Sequence, residues 1–197
     1  RIPIDSAGWC ELDRILAQPE LRGITLADVK VVVDDNDKQR FSLEDRSGGG
    51  ADGVWYIRAN QGHSTRGINP KELCEQILDA SLFPVVVHGT NPNAWAGGIS
   101  TTGLKRMKRQ HIHFAKGLPG ENGVISGIRK GNAARILVYV DLEQCLADGI
   151  PFFVSANGVI LSPGIGDTGT ILPKYFKSVI DNSTGETLIG KKSDLLG

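Results

Sequence analysis

The stretch Lys108-Arg109-Gln110-His111-Ile112-His113-Phe114 is the most informative part of this 197-residue sequence. Successive side chains of a β-strand point to opposite faces, so a strand here places both histidines on one face and Ile112 on the other. Two imidazoles that follow a lysine and an arginine indicate a ligand with both a phosphate and a flat ring. The alternative is a histidine pair on a solvated face of a sheet.

The sequence around this stretch is rich in short apolar segments that are separated by glycine, proline and asparagine turns. From Pro84 onward, strands are predicted at residues 85–87, 112–114, 136–140, 152–154 and 159–161. This part of the chain is therefore expected to be an α+β domain built on an antiparallel or mixed sheet. Ahead of it, a helix is predicted after Pro70 from the spacing of Leu73, Ile77 and Leu78.

The N-terminal part of the chain reads as a smaller unit. A helix is predicted over residues 13–18, and a second begins after Thr25, where Asp28 completes a capping box. Alternating stretches at 39–43 and 54–57 flank a glycine-rich tip and predict a β-hairpin. Helices followed by a hairpin are typical of winged-helix modules. Such modules often bind nucleic acids, but others only pack against partners, so the arrangement alone leaves the function open.

The composition excludes several classes of protein. Hydrophobic residues make up 40% and charged residues 22%, which excludes a wholly disordered chain, and no apolar run reaches the roughly 18 residues of a membrane span. The three cysteines fit neither a disulfide framework nor a zinc site and are expected to be reduced thiols. With no secretory signal, an intracellular location, cytoplasm and/or nucleus, is expected. The sequence has no P-loop, dinucleotide fingerprint or nucleophile elbow, which disfavours a Rossmann fold.

Charge is unevenly distributed although the formal net charge is zero. Residues 105–130 hold seven basic side chains and one acidic one, so this segment carries +6 and the rest of the chain −6. Segregation of this kind favours an anionic partner at the basic patch, and a solvated basic face is the alternative.

Several shorter motifs contain further candidate site residues. His88-Gly89-Thr90 follows a predicted strand, where a histidine can donate to a ribose hydroxyl and a glycine lets a ligand approach the backbone; a structural histidine is the alternative. Asn157-Gly158 could line a site or simply form a hairpin turn. Small and basic residues at 126–130 suit phosphate or ribose. In the first unit, the segments 38–41 and 61–64 flank the hairpin, and Arg40 and His63 could face RNA, or merely solvent.

Taken together, these motifs closely resemble the RNA (tRNA) 2′-phosphotransferase family. The resemblance runs from near residue 1 to about residue 180, in the family's order. The matching segments are Gly8-Trp9 through Leu12, NDKQRF (36–41), RANQGHS (58–64), HGT (88–90), RQHIH (109–113), GVISGIR (123–129), ADGIPFF (147–153), SANGVIL (155–161) and LPKYF (172–176).

The resemblance implies a winged-helix-like RNA-binding lobe at 1–66, a connector at 67–82 and an ADP-ribosyltransferase-like, NAD-binding lobe at 83–197, with the site in the cleft between the lobes. Enzymes of this family transfer the internal 2′-phosphate of a tRNA splice junction to NAD⁺ through an ADP-ribosylated RNA. The products are 2′-OH RNA, nicotinamide and ADP-ribose 1″,2″-cyclic phosphate. The resemblance implies neither a metal nor an oligomer.

The resemblance also implies roles for single residues. Arg40 and Arg109 match two of the family's catalytic residues; the other two, an adjacent Arg and His, should lie on a helix before residue 1, and this sequence contains no Arg-His dipeptide. His88 would meet the nicotinamide ribose, the Gly89 backbone the carboxamide, and His113 the nicotinamide ring. The other implied NAD-binding residues are Thr90, Ser126, Gly127, Arg129, Asn157 and Gly158, and the implied RNA- or phosphate-binding residues are Lys38, Gln61, His63, Lys108 and His111.

Two other functions are open at this point. An ADP-ribosyltransferase that caps a terminal phosphate of RNA or DNA would use the same cleft and stop after the first step. A winged-helix nucleic-acid-binding module with an inert second lobe would bind RNA in a salt-sensitive way without binding NAD⁺.

Overall fold

The structure of the chain is a computed structural model, and it describes residues 2–47, 53–60, 74–118 and 134–190. The backbone contacts divide the chain into two compact units, Arg1–Cys74 and Glu75–Gly197. Each unit is described by itself below.

The first unit combines short helices with a three-stranded antiparallel sheet, in which the strand that comes last in the sequence lies between the other two. Its main elements are β1 (Cys10–Glu11), α1 (Leu12–Leu16), α2 (Leu26–Asp34), β2 (Phe41–Asp45) and β3 (Trp55–Ala59). Both predicted helices and the hairpin of β2 and β3 are confirmed, while residues 48–52 of the predicted tip lie outside the described residues.

The start of α2 follows from its capping residues. The Thr25 side chain accepts a hydrogen bond from the Asp28 N–H, and the Asp28 carboxylate accepts one from the Thr25 N–H. Because these bonds use backbone donors that a helix leaves free at its first turn, the helix begins where the sequence predicts it.

Burial in the first unit is shallow. Trp9 and Leu12 are buried, but no residue of α2 is, and Val32 keeps 61% of its surface exposed. Instead, α2 forms one wall of an apolar groove of about 540 Å³, with Val29 and Val33 among its lining residues. The winged-helix interpretation of this unit stays a prediction.

The second unit contains two four-stranded sheets and one two-stranded sheet. The first sheet has the order β4 (Cys74–Ile77), β9 (Phe152–Ser155), β10 (Ile160–Ser162), β7 (Ile112–Phe114). The second has the order β13 (Glu186–Ile189), β12 (Phe176–Asp181), β8 (Ile136–Val140), β5 (Val87–Thr90). The short pair is β6 (Leu104–Lys105) with β11 (Thr170–Ile171), and the helical elements include α3 (Leu142–Ala147). The expected α+β class with antiparallel sheets is thereby confirmed.

Strand β8 explains how the second unit is held together. All five of its residues are buried. Ile136, Val138 and Val140 belong to one apolar cluster, and Leu137 and Tyr139 belong to another. Because side chains alternate between the faces of a strand, β8 is packed on both sides, as a central strand must be.

Two local predictions are wrong. Residues Cys74–Ile77, predicted to be helical, form strand β4, because pairing with β9 overrides their apolar spacing. The strand predicted at 85–87 begins at Val87 and runs to Thr90, since its backbone pairs with β8 over that span. His88 therefore lies inside a strand and not after its end. None of the helices in the described ranges is long and apolar enough to cross a membrane.

Candidate active site

The edges of the two large sheets meet beside the histidines of the second unit. The backbones of Val87 and Ala115 exchange two hydrogen bonds, of 3.0 and 2.9 Å. One residue further along β5, the His88 Nδ1 lies 2.8 Å from the carbonyl oxygen of His113. The structure therefore brings together the two histidines that the sequence places 25 residues apart.

The hydrogen bonds of both rings determine which nitrogen carries the proton. The His113 Nδ1 lies 3.1 Å from the carbonyl oxygen of His111, just as the His88 Nδ1 faces that of His113. A carbonyl oxygen only accepts, so we assign the N–H to Nδ1 in both rings. A neutral imidazole of this kind presents an acceptor lone pair at Nε2.

His113 is held in the neutral form. Burial, and next the positive charge of Arg109, lower the pKa of His113 to about 4, although the hydrogen bond to the His111 carbonyl acts in the opposite direction. At neutral pH the ring is therefore uncharged and its Nε2 is an acceptor.

The Nε2 atom of His113 is buried and has no hydrogen-bond partner among the residues that the structure describes. A buried acceptor without a donor is costly and rare in folded proteins. It suits a ligand group that donates, such as a hydroxyl or a carboxamide N–H. A phosphate dianion offers no proton, so the histidine suits the ring-and-hydroxyl part of the expected ligand and not its phosphate.

Arg109 and Lys108 are exposed and lie in a tight turn. The Arg106 guanidinium donates to the carbonyl oxygens of Arg109 (3.1 Å) and Asp167 (2.8 Å). The Arg109 N–H in turn donates to the Arg106 carbonyl, and Met107 adopts a left-handed backbone with φ 56°. Arg106 was predicted only as part of the basic segment 105–130, because nothing in its local pattern indicates that its side chain reaches a distant loop.

Asn157 and Gly158 form the hairpin turn between β9 and β10. The Gly158 N–H donates to the Ser155 carbonyl at 2.8 Å, and Gly158 has φ +75°, which favours glycine. Asn157 is buried, and its Oδ1 accepts a 2.7 Å hydrogen bond from the Ser155 hydroxyl. The side chain of Lys116 lies beside this turn, 3.6 Å from where a Cβ of residue 158 would stand. Lys116 was predicted only as part of the basic segment.

The other predicted NAD-binding residues of β5 are held in the sheet. Gly89 pairs with Leu137 and Thr90, which is buried, pairs with Ile136. The ring of His111, predicted to contact RNA or phosphate, makes an edge contact with Phe153, with ring centroids 6.1 Å apart. The predicted site residues that lie outside the described residues are Gln61, His63, Ser126, Gly127 and Arg129.

In the first unit, Arg40 follows a tight turn. The Gln39 N–H donates to the Asn36 carbonyl at 2.7 Å, and the Asn36 side-chain oxygen accepts from the N–H groups of Lys38 (3.1 Å) and Arg40 (3.3 Å). Arg40 is exposed, and the described residues offer its guanidinium no carboxylate within 4.0 Å. Across all the residues that the structure describes, in both units, no group of three or more potential metal ligands is found.

Comparison with known proteins agrees with the resemblance. Residues 1–164 match the model of the RNA 2′-phosphotransferase, Tpt1/KptA family. The tRNA 2′-phosphotransferase 1 of Homo sapiens is 46% identical over 179 residues, which is 91% of this chain and 68% of that protein. The tRNA 2′-phosphotransferase of Saccharomyces cerevisiae is 34% identical over 170 residues, 84% of this chain and 71% of that protein.

A relative from Schizosaccharomyces pombe is 43% identical over 192 residues, which is 98% of this chain but 49% of the relative. The chain thus spans about half of that protein and about two thirds of the human one. Since the family model matches most of the chain, this protein belongs to the RNA 2′-phosphotransferase (Tpt1/KptA) family of enzymes.

Proposed function

We propose that this chain removes the 2′-phosphate of a tRNA splice junction by transferring it to NAD⁺. In the first step a 2′-phosphate oxygen bonds to the anomeric carbon of the nicotinamide ribose, and nicotinamide leaves with the electron pair of the broken C–N bond. In the second step the neighbouring ribose hydroxyl bonds to phosphorus, and the RNA 2′-oxygen leaves and gains the proton. The products are 2′-OH RNA and ADP-ribose 1″,2″-cyclic phosphate.

The single observation that carries the proposal is the buried Nε2 of His113, to which none of the described residues offers a hydrogen bond. In its neutral form this atom can only accept, and the nicotinamide riboside part of NAD⁺ supplies both hydroxyl and carboxamide donors. His88 lies beside His113, with its Nδ1 2.8 Å from the His113 carbonyl oxygen, and is proposed to meet the nicotinamide ribose, as the family resemblance implies.

Arg40 and Arg109 are suited to bind the 2′-phosphate of the RNA. A phosphate dianion is already a nucleophile, so the first step needs no general base. The second step builds negative charge on phosphorus, and guanidinium groups stay ionised and bind phosphate oxygens in pairs. Arg40 and Arg109 are both exposed, as an arginine that must reach a macromolecular substrate has to be. Lys116 adds a cation beside the Asn157–Gly158 turn, which agrees with a substrate that brings negative charge.

The test uses NAD⁺ and a short RNA with one radiolabelled internal 2′-phosphate. We expect the label to move from RNA into a small nucleotide, and only when NAD⁺ is present. Label that stays on an RNA that has gained ADP-ribose would mean that the reaction stops after the first step, which would overturn the proposed transfer of the phosphate to NAD⁺. Salt-sensitive RNA binding with neither product would leave only the inert binding module. An RNA labelled at a terminal phosphate is the matched control substrate.

A further inference from the structure

The backbone just before Arg40 has an unusual conformation. Gln39 is left-handed, with φ 42°, and only one other non-glycine residue in the described ranges, Met107, has a positive φ. A side chain with a Cβ is strained there, so the surrounding structure must hold it. Strain of this kind is concentrated at functional sites, and Arg40 is one of the two arginines to which the proposed function assigns the phosphate.

Asn60 supplies the contacts that hold this backbone. Its side-chain N–H donates to the Gln39 carbonyl at 2.7 Å, and its backbone N–H donates to the Arg40 carbonyl at 2.8 Å. The carbonyls on both sides of the Arg40 Cα are therefore bound by one residue. Asn60 is itself buried, with 5% of its surface exposed. It directly follows the last residue of strand β3, so the sheet fixes where its backbone lies.

The side-chain amide of Asn60 cannot rotate by 180° without losing its hydrogen bonds. Its Oδ1 accepts a 2.6 Å hydrogen bond from the Ser42 hydroxyl, which leaves the amide N–H groups directed at Gln39. Together with the bond from the Arg40 N–H to Asn36, both backbone polar groups of Arg40 are bound. The main chain is fixed while the guanidinium stays exposed.

We propose that Asn60 is a positioning residue, which holds the left-handed turn at Gln39 and thereby aims Arg40 at the 2′-phosphate of the RNA. This inference rests on the proposed function, because it needs a phosphate for Arg40 to meet. Asn60 acts through the backbone and does not touch the substrate. A small displacement of a binding group is enough to lose much of its effect, so removal of the clamp weakens phosphate recognition without removing the arginine.

The experiment measures binding by the full chain of two fluorescent RNA oligonucleotides that differ only in one internal 2′-phosphate. The ratio of their affinities reports on the phosphate contact alone, independently of turnover. We expect Asn60→Ala to reduce this ratio about tenfold, close to the effect of Arg40→Ala. Ser42→Ala is the matched control: it removes the neighbouring bond to Asn60 but leaves the Gln39 and Arg40 carbonyls bound, and it is expected to change the ratio less than about threefold.

A rescue variant separates positioning from general loss of structure. Glycine adopts a positive φ without strain, so Gln39→Gly combined with Asn60→Ala is expected to regain most of the lost ratio. A folded Asn60→Ala protein that keeps the wild-type ratio, or a Ser42→Ala protein that loses as much, overturns the inference. If the Asn60→Ala protein does not fold, the same affinity ratio is measured for the protein that carries both Gln39→Gly and Asn60→Ala. An affinity ratio as low as that of Arg40→Ala in this double variant overturns the inference. A wild-type protein with no preference for the 2′-phosphate refutes the proposed function, and the inference with it.

Discussion

The turns that precede Arg40 and Arg109 have the same kind of backbone but are stabilised by different chemistry. Each contains a left-handed residue that is not glycine, Gln39 in one and Met107 in the other. The first turn is held by neutral amides of Asn36 and Asn60. The second is held by a charged side chain, Arg106, which binds the carbonyls of Arg109 and Asp167.

The difference lies in what each turn does to its surroundings. The amide-held turn adds no charge near Arg40. The guanidinium-held turn places a second cation next to Arg109, and the charge of Arg109 contributes to the low pKa of His113. The first turn is thus held by uncharged side chains alone, whereas the second is held by a guanidinium and contains the arginine whose own charge helps to keep His113 neutral.

The largest effect is expected when the side chain of Arg109 is removed. Arg109→Ala should lower the rate of 2′-phosphate transfer by about 100- to 1,000-fold, because a fixed cation is removed from the developing charge. NAD⁺ affinity should stay nearly unchanged and ADP-ribosylated RNA should accumulate, as followed by gel analysis and calorimetry. Lys105→Ala, an exposed neighbour of the same charge, is the control. A collapse of NAD⁺ affinity would mean that Arg109 belongs to the NAD⁺ site.

The turn that Arg106 holds depends on a close approach between the Arg106 side chain and Gly169. This residue has φ +57°, and a Cβ there would overlap the Arg106 side chain and the Pro163 carbonyl. We expect Gly169→Ala to lower the free energy of unfolding by about 3 kcal/mol in urea denaturation. Gly166 has φ +64° but open space around it, so Gly166→Ala should cost only about 1 kcal/mol. Equal costs for the two variants would show that Arg106 does not pack against residue 169.

The electrostatic side of the comparison predicts a pH dependence. The pKa of His113 is about 4 in the folded chain and about 6.5 in an unfolded one, so the unfolded chain binds the proton first as pH falls. The stability that neutral His113 contributes is present above pH 6.5 and is lost between about pH 6.5 and 4, by about 3 kcal/mol. Denaturation across this range should give a flatter profile for His113→Gln.

The contribution of Arg109 to that pKa can be measured separately. In Arg109→Gln the neighbouring positive charge is gone, so an NMR titration should show the pKa of His113 raised toward its ordinary value. Burial, the larger cause, remains in this variant, so the pKa should stay below about 6.5. An unchanged pKa would remove the electrostatic part of the comparison.

The smallest effect is expected at Met107, whose side chain is 78% exposed. Met107→Gly relieves the left-handed strain but increases the freedom of the unfolded chain, and these effects nearly cancel, leaving a change within about 0.5 kcal/mol. Transfer activity should stay within about twofold of the wild type, since Arg106 still holds the turn. A loss larger than about 1 kcal/mol would show that the exposed side chain contributes packing.

Predictions from the sequence were accurate where neighbours in the chain decide the structure. The capping box of Thr25 and Asp28 starts α2 where it was predicted, and the strands at 112–114 and 136–140 have the predicted bounds. Helix capping and the alternation of side chains along a strand depend on residues that are a few positions apart, so the sequence alone predicts them. The family resemblance rests on many short motifs in the family's order, so it too could be recognised from the sequence alone.

The tertiary structure decided the features that depend on distant partners. Strand β4 exists because of its pairing with β9, and the tautomer of His113 follows from its distance to one carbonyl oxygen. The clamp of Asn60 on Gln39 joins residues that are 21 positions apart. No local pattern contains such contacts, because sheet register and side-chain reach, and not chain order, bring these groups within hydrogen-bond distance. The family resemblance and the candidate arginines thus follow from the sequence, whereas the fold decides how the arginine backbones are held and leaves the His113 Nε2 buried, with no partner among the described residues.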